Sequence, residues 1–190
     1  MARERKFAGL ALDGVSAAGA FGGYASLFGA TDLAGDVVER GAFEKSLAAR
    51  GASGVRMLFQ HDPALVIGRW TEIVEDGRGL RVAGRLNLDV ARAREVHALM
   101  KTGALDDGLS IGFRTVRARR VRGEAKRRIL EADLWEISVV TFPMLPGARV
   151  AQIKALPAGR DDAGAVLKRL AGTIRQAVRT SNRSNRDWMR

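Results

Sequence analysis

The chain of 190 residues contains no cysteine and only two histidines, His61 and His97. The absence of cysteine excludes disulfides, thiolate zinc sites, iron–sulfur clusters and a cysteine nucleophile. Two histidines are too few for a three-histidine zinc centre. We therefore expect neither a metal nor a cofactor.

Long apolar runs are missing as well. The net-positive segment 1–6 precedes a stretch that makes a poor signal peptide, because Asp13 interrupts it and small residues dominate 14–31. No run is apolar enough to span a bilayer. We expect a soluble cytoplasmic protein with no membrane partner.

Positive charge is in excess, with 32 Lys and Arg against 21 Asp and Glu, for a net charge of +11. This balance attracts anionic partners without choosing among nucleic acid, membrane and acidic protein. Apolar residues recur every four positions among basic residues from 166 to 178, which predicts an amphipathic basic helix. We divide the chain into a globular domain, residues 1–155, and a basic amphipathic tail, residues 156–190.

Alternating apolar positions separated by turn residues predict several strands with one or two short helices. Residues 76–79 predict a tight hairpin turn. Residues 90–102 are the best helix, with Asp89 as its N-cap and Gly103 at its end. A second hairpin joins strands at 109–121 and 127–142. The pattern predicts a β-rich α+β fold, a closed or partly open β-barrel flanked by short helices.

Residues 108–112 read Gly-Leu-Ser-Ile-Gly, a G-x-S-x-G pattern centred on Ser110. In α/β-hydrolases a helix follows this pattern and the histidine comes after the serine; here the helix and both histidines come first, which excludes that fold. His97 lies on the polar face of its helix, whereas His61 ends a strand before a turn. A Ser–His pair is therefore Ser110 with His61. From spacing alone, a strand-edge serine and a turn histidine are the commoner explanation.

Five sequence blocks together resemble the tailed-phage prohead (capsid maturation) protease family, whose relatives also occur in gene transfer agents. The blocks are GYASLFGATDLAGDVVERGAFEKSL, LFQHDPALVIGRW, EDGRGLRVAGRL, GALDDGLSIGF and EADLWEISVVTFPMLPGARV. The resemblance covers residues 7–153. It implies a fold like herpesvirus assemblin and a serine endopeptidase of procapsid maturation. Its substrates would be scaffold, N-terminal segments of the major capsid protein, and the enzyme itself, inside the assembling procapsid in the cytoplasm of the bacterial host.

The resemblance implies Ser110 as the nucleophile and His61 as its base. The third member is open. Asp89 is the first choice, because it ends a strand paired with the histidine-bearing region on the polar face. Glu136 is the runner-up, and its apolar neighbours also fit a structural buried carboxylate. Asp62 should point away from His61, since neighbours in an extended chain face opposite sides.

A basic hairpin supports a competing hypothesis, in which the chain is a nucleic-acid-binding or structural head protein with a degenerate protease fold. Its cations are Arg114, Arg117, Arg119, Arg120, Arg122, Lys126, Arg127 and Arg128. A solvated hairpin is at least as good an explanation, because apolar residues are interleaved with the arginines. No aromatic residues lie among them for base stacking. A homo-oligomer and contact with nucleic acid both stay open.

Overall fold

The computed structural model describes residues 15–105, 108–121, 123 and 125–151. The predicted boundary at residue 155 and the basic tail lie outside these residues. The strands are β1 (Ala20–Leu27), β2 (Asp36–Val38), β3 (Arg56–Phe59), β4 (Asp62–Glu75), β5 (Gly79–Leu86), β6 (Gly108–Arg120), β7 (Arg127–Val140) and β8 (Val150–Ala151). The helices are α1 (Glu44–Arg50), a short 3₁₀ turn (Ala52–Gly54) and α2 (Ala91–Thr102).

The sheet curls so that its two ends, β6 and the segment before β8, meet. β7 pairs antiparallel with β6 on one edge and parallel with β2 and β3 on the other. The order then runs β3–β4–β5–β1–β8 through antiparallel pairs. A bridge between Gly108 and Arg149, beside a 3.0 Å hydrogen bond from Leu109 N–H to the Ala148 carbonyl, links β6 to the segment before β8. The predicted β-rich barrel with short flanking helices is confirmed.

The inner face of this sheet holds the hydrophobic core. In β6 and β7 the alternation points Leu109, Ile137 and Val139 inward, and all three are fully buried. Side chains between them in sequence therefore face outward. A bulge at Trp135, opposite the step from Gly112 to Phe113, keeps Leu134 in the core on the far side of the irregularity.

The two ends of α2 differ in how well the sequence predicts them. Gly103 ends α2 in the left-handed conformation with φ 68°, as its freedom from a Cβ clash allows. The N-cap, however, is Val90 and no side chain caps the helix, so the prediction that Asp89 caps α2 was wrong. The preceding strand ends at Leu86, and Asp89 lies in the turn beyond it. Within the described residues, no helix is long and apolar enough to cross a membrane.

Candidate active site

The outward face of β6 and β7 carries two serines directly opposite each other. Ser110 on β6 pairs with Ser138 on β7, and Gly112 pairs with Glu136. Opposite residues of an antiparallel pair lie on the same face, with Cβ atoms about 5 Å apart. The ladder thus brings Ser110, Ser138 and Glu136 to one small area, although Glu136 is 26 positions later than Ser110 in the sequence.

His61 reaches the same area from the turn between β3 and β4. Gln60 and His61 are the two loop residues, and both have positive φ, 57° and 60°. Positive φ at both loop residues is the backbone of a type I′ hairpin turn, and non-glycine residues adopt it rarely. The turn is fastened to β7 and the residue after it: Gln60 N–H donates to the Val139 carbonyl (3.0 Å) and the Gln60 amide donates to Thr141 Oγ1 (2.6 Å).

A continuous hydrogen-bond chain joins the turn to β7. Glu136 Oε1 lies 2.7 Å from His61 Nδ1, and Ser138 Oγ donates to Glu136 Oε2 at 2.6 Å. The backbone N–H of His61 donates to Ser138 Oγ at 3.1 Å. With an ionised Glu136, Nδ1 carries the imidazole proton of a neutral His61, and Nε2 is then the nitrogen able to accept a proton.

Glu136 also sets the proton affinity of His61. Its hydrogen bond raises the pKa of His61 above the usual 6.5; partial burial opposes that rise, and the negative charge of Glu136 adds to it. The His61 side chain is 42% exposed and that of Glu136 only 13%. The histidine therefore keeps access to solvent while its partner is sheltered.

Ser110 is 4% exposed and lines a cavity of about 250 Å³. Much of the lining is small or aliphatic: Ala25, Ala30, Ala34, Val38, Met144 and Leu145. Its polar side includes Asp32 and the ion pair of Asp36 with Arg127, whose two N–O distances are 2.6 and 2.7 Å. His61 is not in the lining. Ser110 thus belongs both to the cavity and, through strand register, to the polar area on the barrel surface.

The structure pairs His61 with Glu136, the runner-up, and not with Asp89, the first choice. Asp89 is exposed, and among the described residues its carboxylate makes no hydrogen bond or ion pair. Asp62 accepts a hydrogen bond from the Ala64 N–H and does not bond to His61. His97 lies on α2, where Nε2 contacts the Ser16 carbonyl at 2.8 Å.

The sequence reasoning missed Ser138, and it noted Gly112 only as a glycine of the pattern around Ser110, not as a neighbour of Glu136. A Cβ added at Gly112 would lie only 2.0 Å from Glu136 Oε1, so glycine leaves the space that the carboxylate occupies. A signal for both existed. Glu136 and Ser138 are two apart on one strand, as are Ser110 and Gly112 on the other, and a period of two places each pair on one face.

Four arginines of the basic hairpin have acidic partners. Arg114 lies 3.5 Å from Asp133, and Arg117 lies 4.0 Å from Glu131. Arg127 pairs with Asp36, as above, and Arg128 pairs with Glu39. The local excess of positive charge is consequently smaller than the sequence suggests.

Comparison with known proteins gives matches at the level of family and of fold. A family model for the caudovirus prohead serine protease matches residues 10–158. The prohead protease of Enterobacteria phage HK97 is 36% identical over 155 residues, which cover 80% of this chain and 66% of that protein, just under two thirds of its length. A KSHV protease in complex with a hexapeptide phosphonate inhibitor matches with a TM-score of 0.46 and 10% identity, covering 80% of this chain and 76% of the other. Varicella-zoster virus protease matches with a TM-score of 0.44 and 13% identity, covering 81% and 76%.

Proposed function

The chain belongs to the caudovirus prohead serine protease family, and we propose that it is a serine endopeptidase with Ser110 as nucleophile and His61 as general base. The observation that carries this proposal is the 2.7 Å contact between His61 Nδ1 and Glu136 beside the strand pair that holds Ser110. A serine needs an adjacent base, and the base needs a group that holds its tautomer. We assign Glu136 to that third role, in place of Asp89.

The proposed reaction follows from these positions. His61 Nε2 takes the proton of Ser110 as Oγ attacks the carbonyl carbon of the scissile peptide bond. The tetrahedral intermediate collapses, the C–N bond breaks, and His61 gives the proton to the leaving amine. Water, deprotonated by His61, then hydrolyses the acyl-enzyme and Ser110 regains its proton. Glu136 stays ionised and stabilises the imidazolium that forms in each step.

The substrates we propose are scaffold and the N-terminal segments of the major capsid protein, with the enzyme itself as a further substrate. Cleavage would take place inside the assembling procapsid, in the cytoplasm of the bacterial host. The 36% identity to a prohead protease supports this setting. The cavity beside Ser110 supports a position for a substrate residue next to the scissile bond.

The competing nucleic-acid-binding hypothesis receives less support. Four arginines of the basic hairpin face carboxylates, and such pairs have less charge to offer to phosphates. A binding module also has no need of a histidine held by a carboxylate next to a buried serine. The endopeptidase therefore explains more of the observed side chains.

Co-expression with the major capsid protein of the same particle tests the proposal. The capsid protein is read by intact mass with the wild type, Ser110→Ala, His61→Ala and Ser26→Ala. Ser26 is a matched control, because it is a buried serine of the same cavity. We expect shortening of the capsid protein with the wild type and Ser26→Ala only. Shortening that persists in Ser110→Ala would exclude Ser110 as the nucleophile, and unchanged masses with the wild type would count against the protease.

A further inference from the structure

Ser138 makes two hydrogen bonds that involve the two partners of Ser110 in the proposed mechanism. Its side chain is fully buried, at 0% exposure. Its hydroxyl accepts from His61 N–H at 3.1 Å and donates to Glu136 Oε2 at 2.6 Å. The directions are fixed, because a backbone N–H can only donate and an ionised carboxylate can only accept.

These bonds restrain both ends of the histidine–carboxylate contact. Glu136 has one oxygen on Ser138 and the other on His61 Nδ1, which fixes the plane of its carboxylate. The same hydroxyl holds the backbone of the turn residue His61, whose positive φ is a conformation that the chain adopts at a cost. Without Ser138, the carboxylate can rotate away and the turn loses one of its attachments to β7.

We propose that Ser138 is a positioning residue that holds the His61 turn and the Glu136 carboxylate in one fixed arrangement. The effect of Ser138 on catalysis rests on the proposed function. Its effect on the positions of His61 and Glu136 does not, and can be tested without a substrate. Ser138 acts through His61 and Glu136. Its role differs from that of a purely structural serine, because the carboxylate that accepts its proton is the one in contact with His61 Nδ1.

Ser46, on α1, is a matched control that bonds to the same strand. It too is buried, accepts a β7 backbone N–H, that of Leu134, at 2.9 Å, and is a donor to a carboxylate, Asp133, at 3.4 Å. Among the described residues, its hydrogen bonds go to Leu134 and Asp133 and none to His61. A purely structural serine should therefore affect stability at either position, whereas a positioning serine should affect His61 only at position 138.

The first readout is the titration of His61 by NMR in a Ser110→Ala background, which removes self-cleavage. The chain has only two histidines, so His97→Gln identifies the His61 signal. The charged groups near His61 are Glu136 in contact, Asp62 beside it in β4, and Arg56 on β3 opposite Glu136. We expect Ser138→Ala to move the midpoint toward the ordinary value for histidine, Ser138→Thr to restore it, and Ser46→Ala to leave it unchanged.

The second readout is cleavage by variants in the wild-type background, on a peptide that spans a capsid cleavage site. We expect kcat to fall by about 10-fold in Ser138→Ala with little change in KM, because misplacement of a catalytic group slows the chemical step more than it weakens binding. Ser138→Cys, which keeps the space but weakens both bonds, serves if the alanine variant does not fold.

The outcomes separate this proposal from the function on which it rests. A His61 midpoint that is unchanged in a folded Ser138→Ala or Ser138→Cys variant overturns the positioning role. The same is true of an equal shift in Ser46→Ala. If the wild type cleaves nothing, the endopeptidase fails, but the titration still decides whether Ser138 holds Glu136 against His61.

Discussion

The two halves of the β6–β7 hairpin use polar residues in opposite ways. The proximal half, residues 108–112 with 136–140, has its polar side chains largely buried, and Ser138 donates a hydrogen bond to Glu136 within it. The distal half, residues 114–120 with 127–133, carries exposed arginines, with Arg119 opposite Arg128 and Arg120 opposite Arg127. The bulge at Trp135 separates the halves.

The contrast shows how one ladder can support both a site and a solvated surface. In the proximal half, shelter from water strengthens each hydrogen bond and makes an unpaired group costly. The orientation of Glu136 is therefore tightly specified. In the distal half, water competes with the ion pairs of the exposed Arg114 and Arg117, and exposed pairs contribute little. Substitutions in the proximal half should change catalysis, and those in the distal half should leave catalysis unchanged.

The largest effect should come from Glu136→Gln. The amide can no longer stabilise an imidazolium and can hold His61 in the wrong tautomer, so we expect kcat/KM to fall by up to ~10⁴-fold. Activity of the wild type should rise with pH through a His61 pKa that Glu136 raises above 6.5, because only neutral His61 accepts the Ser110 proton. In the variant that rise should move to lower pH. The measurement is the pH profile of kcat/KM on the capsid-site peptide.

Glu131→Gln is the control from the distal half, where the carboxylate contacts Lys45 and Arg117 and not a histidine. It should leave both the rate and the pH profile unchanged. A Glu136→Gln variant with the wild-type rate and profile would remove Glu136 from the mechanism and leave the third position without an assigned residue.

The next effect should come from Gly112→Ala. The new Cβ would meet Glu136 Oε1 at 2.0 Å, so the carboxylate must move away from His61. A displacement of about 1 Å in the groups that carry out the reaction can lower the rate by about 10²-fold. Gly77→Ala, in the turn between β4 and β5, is the control, because a Cβ added there would have no neighbour within 4 Å. Peptide cleavage and thermal unfolding of both variants are the measurements, and full activity of a folded Gly112→Ala protein would contradict the steric argument.

Many of the elements in this comparison were accessible from the sequence. Local signals predicted the hairpin between β4 and β5, the second hairpin, and the glycine end of α2, since turn chemistry and alternation are properties of adjacent residues. The family resemblance, which the family match confirms, rested on five blocks in order. It placed Ser110 and His61 as the candidate pair, and that pairing is still a proposal.

Local sequence signals do not predict which carboxylate lies beside His61. The sequence favours Asp89 because it ends the strand expected to pair with the histidine-bearing region, on the polar face. His61 instead lies beside β7, which pairs with β3 in parallel. A parallel pairing of segments so far apart in the chain gives no signal in the local sequence. The apolar neighbours of Glu136 favoured a structural carboxylate, yet Ile137 points into the core while Glu136 faces outward.

A third prediction concerns Asp133, which begins the distal half next to the bulge. Its carboxylate accepts a hydrogen bond from the Trp135 indole, and Arg50 and Arg114 lie beside it. Together these hold the pKa of Asp133 below its usual 3.8, the indole bond being the largest cause. A lowered folded-state pKa stabilises the protein above the unfolded pKa, and this contribution is lost as pH falls through the folded value.

Asp133→Asn should therefore lower the unfolding temperature at neutral pH while leaving peptide cleavage intact. The difference from the wild type should shrink as the pH falls below 3.8, because the wild-type carboxyl then loses its charge as well. Thermal unfolding across pH is the measurement. A difference that stays constant down to acid pH would mean that the asparagine disturbs packing and that the charge is not what stabilises.

The smallest effect should come from Arg117→Ala. The Arg117 side chain is 65% exposed and lies 4.0 Å from Glu131, so we expect the unfolding free energy to change by less than about 1 kcal/mol. Cleavage of the peptide should not change. Urea unfolding and the peptide assay are the measurements. A loss of activity comparable with that of Gly112→Ala would mean that the distal half contacts the substrate.

The same variant separates the two functional hypotheses when it is combined with Arg119→Ala and Arg120→Ala. Among the described residues, Arg119, Arg120 and Lys126 are the cations of the basic hairpin with no acidic partner, and the first two lie side by side on β6. If the hairpin binds nucleic acid, each lost phosphate contact should reduce the slope of log affinity for DNA against log salt concentration by about one. If the distal half of the hairpin is only solvated, the substitutions should leave both capsid-protein cleavage and the salt dependence of DNA affinity unchanged.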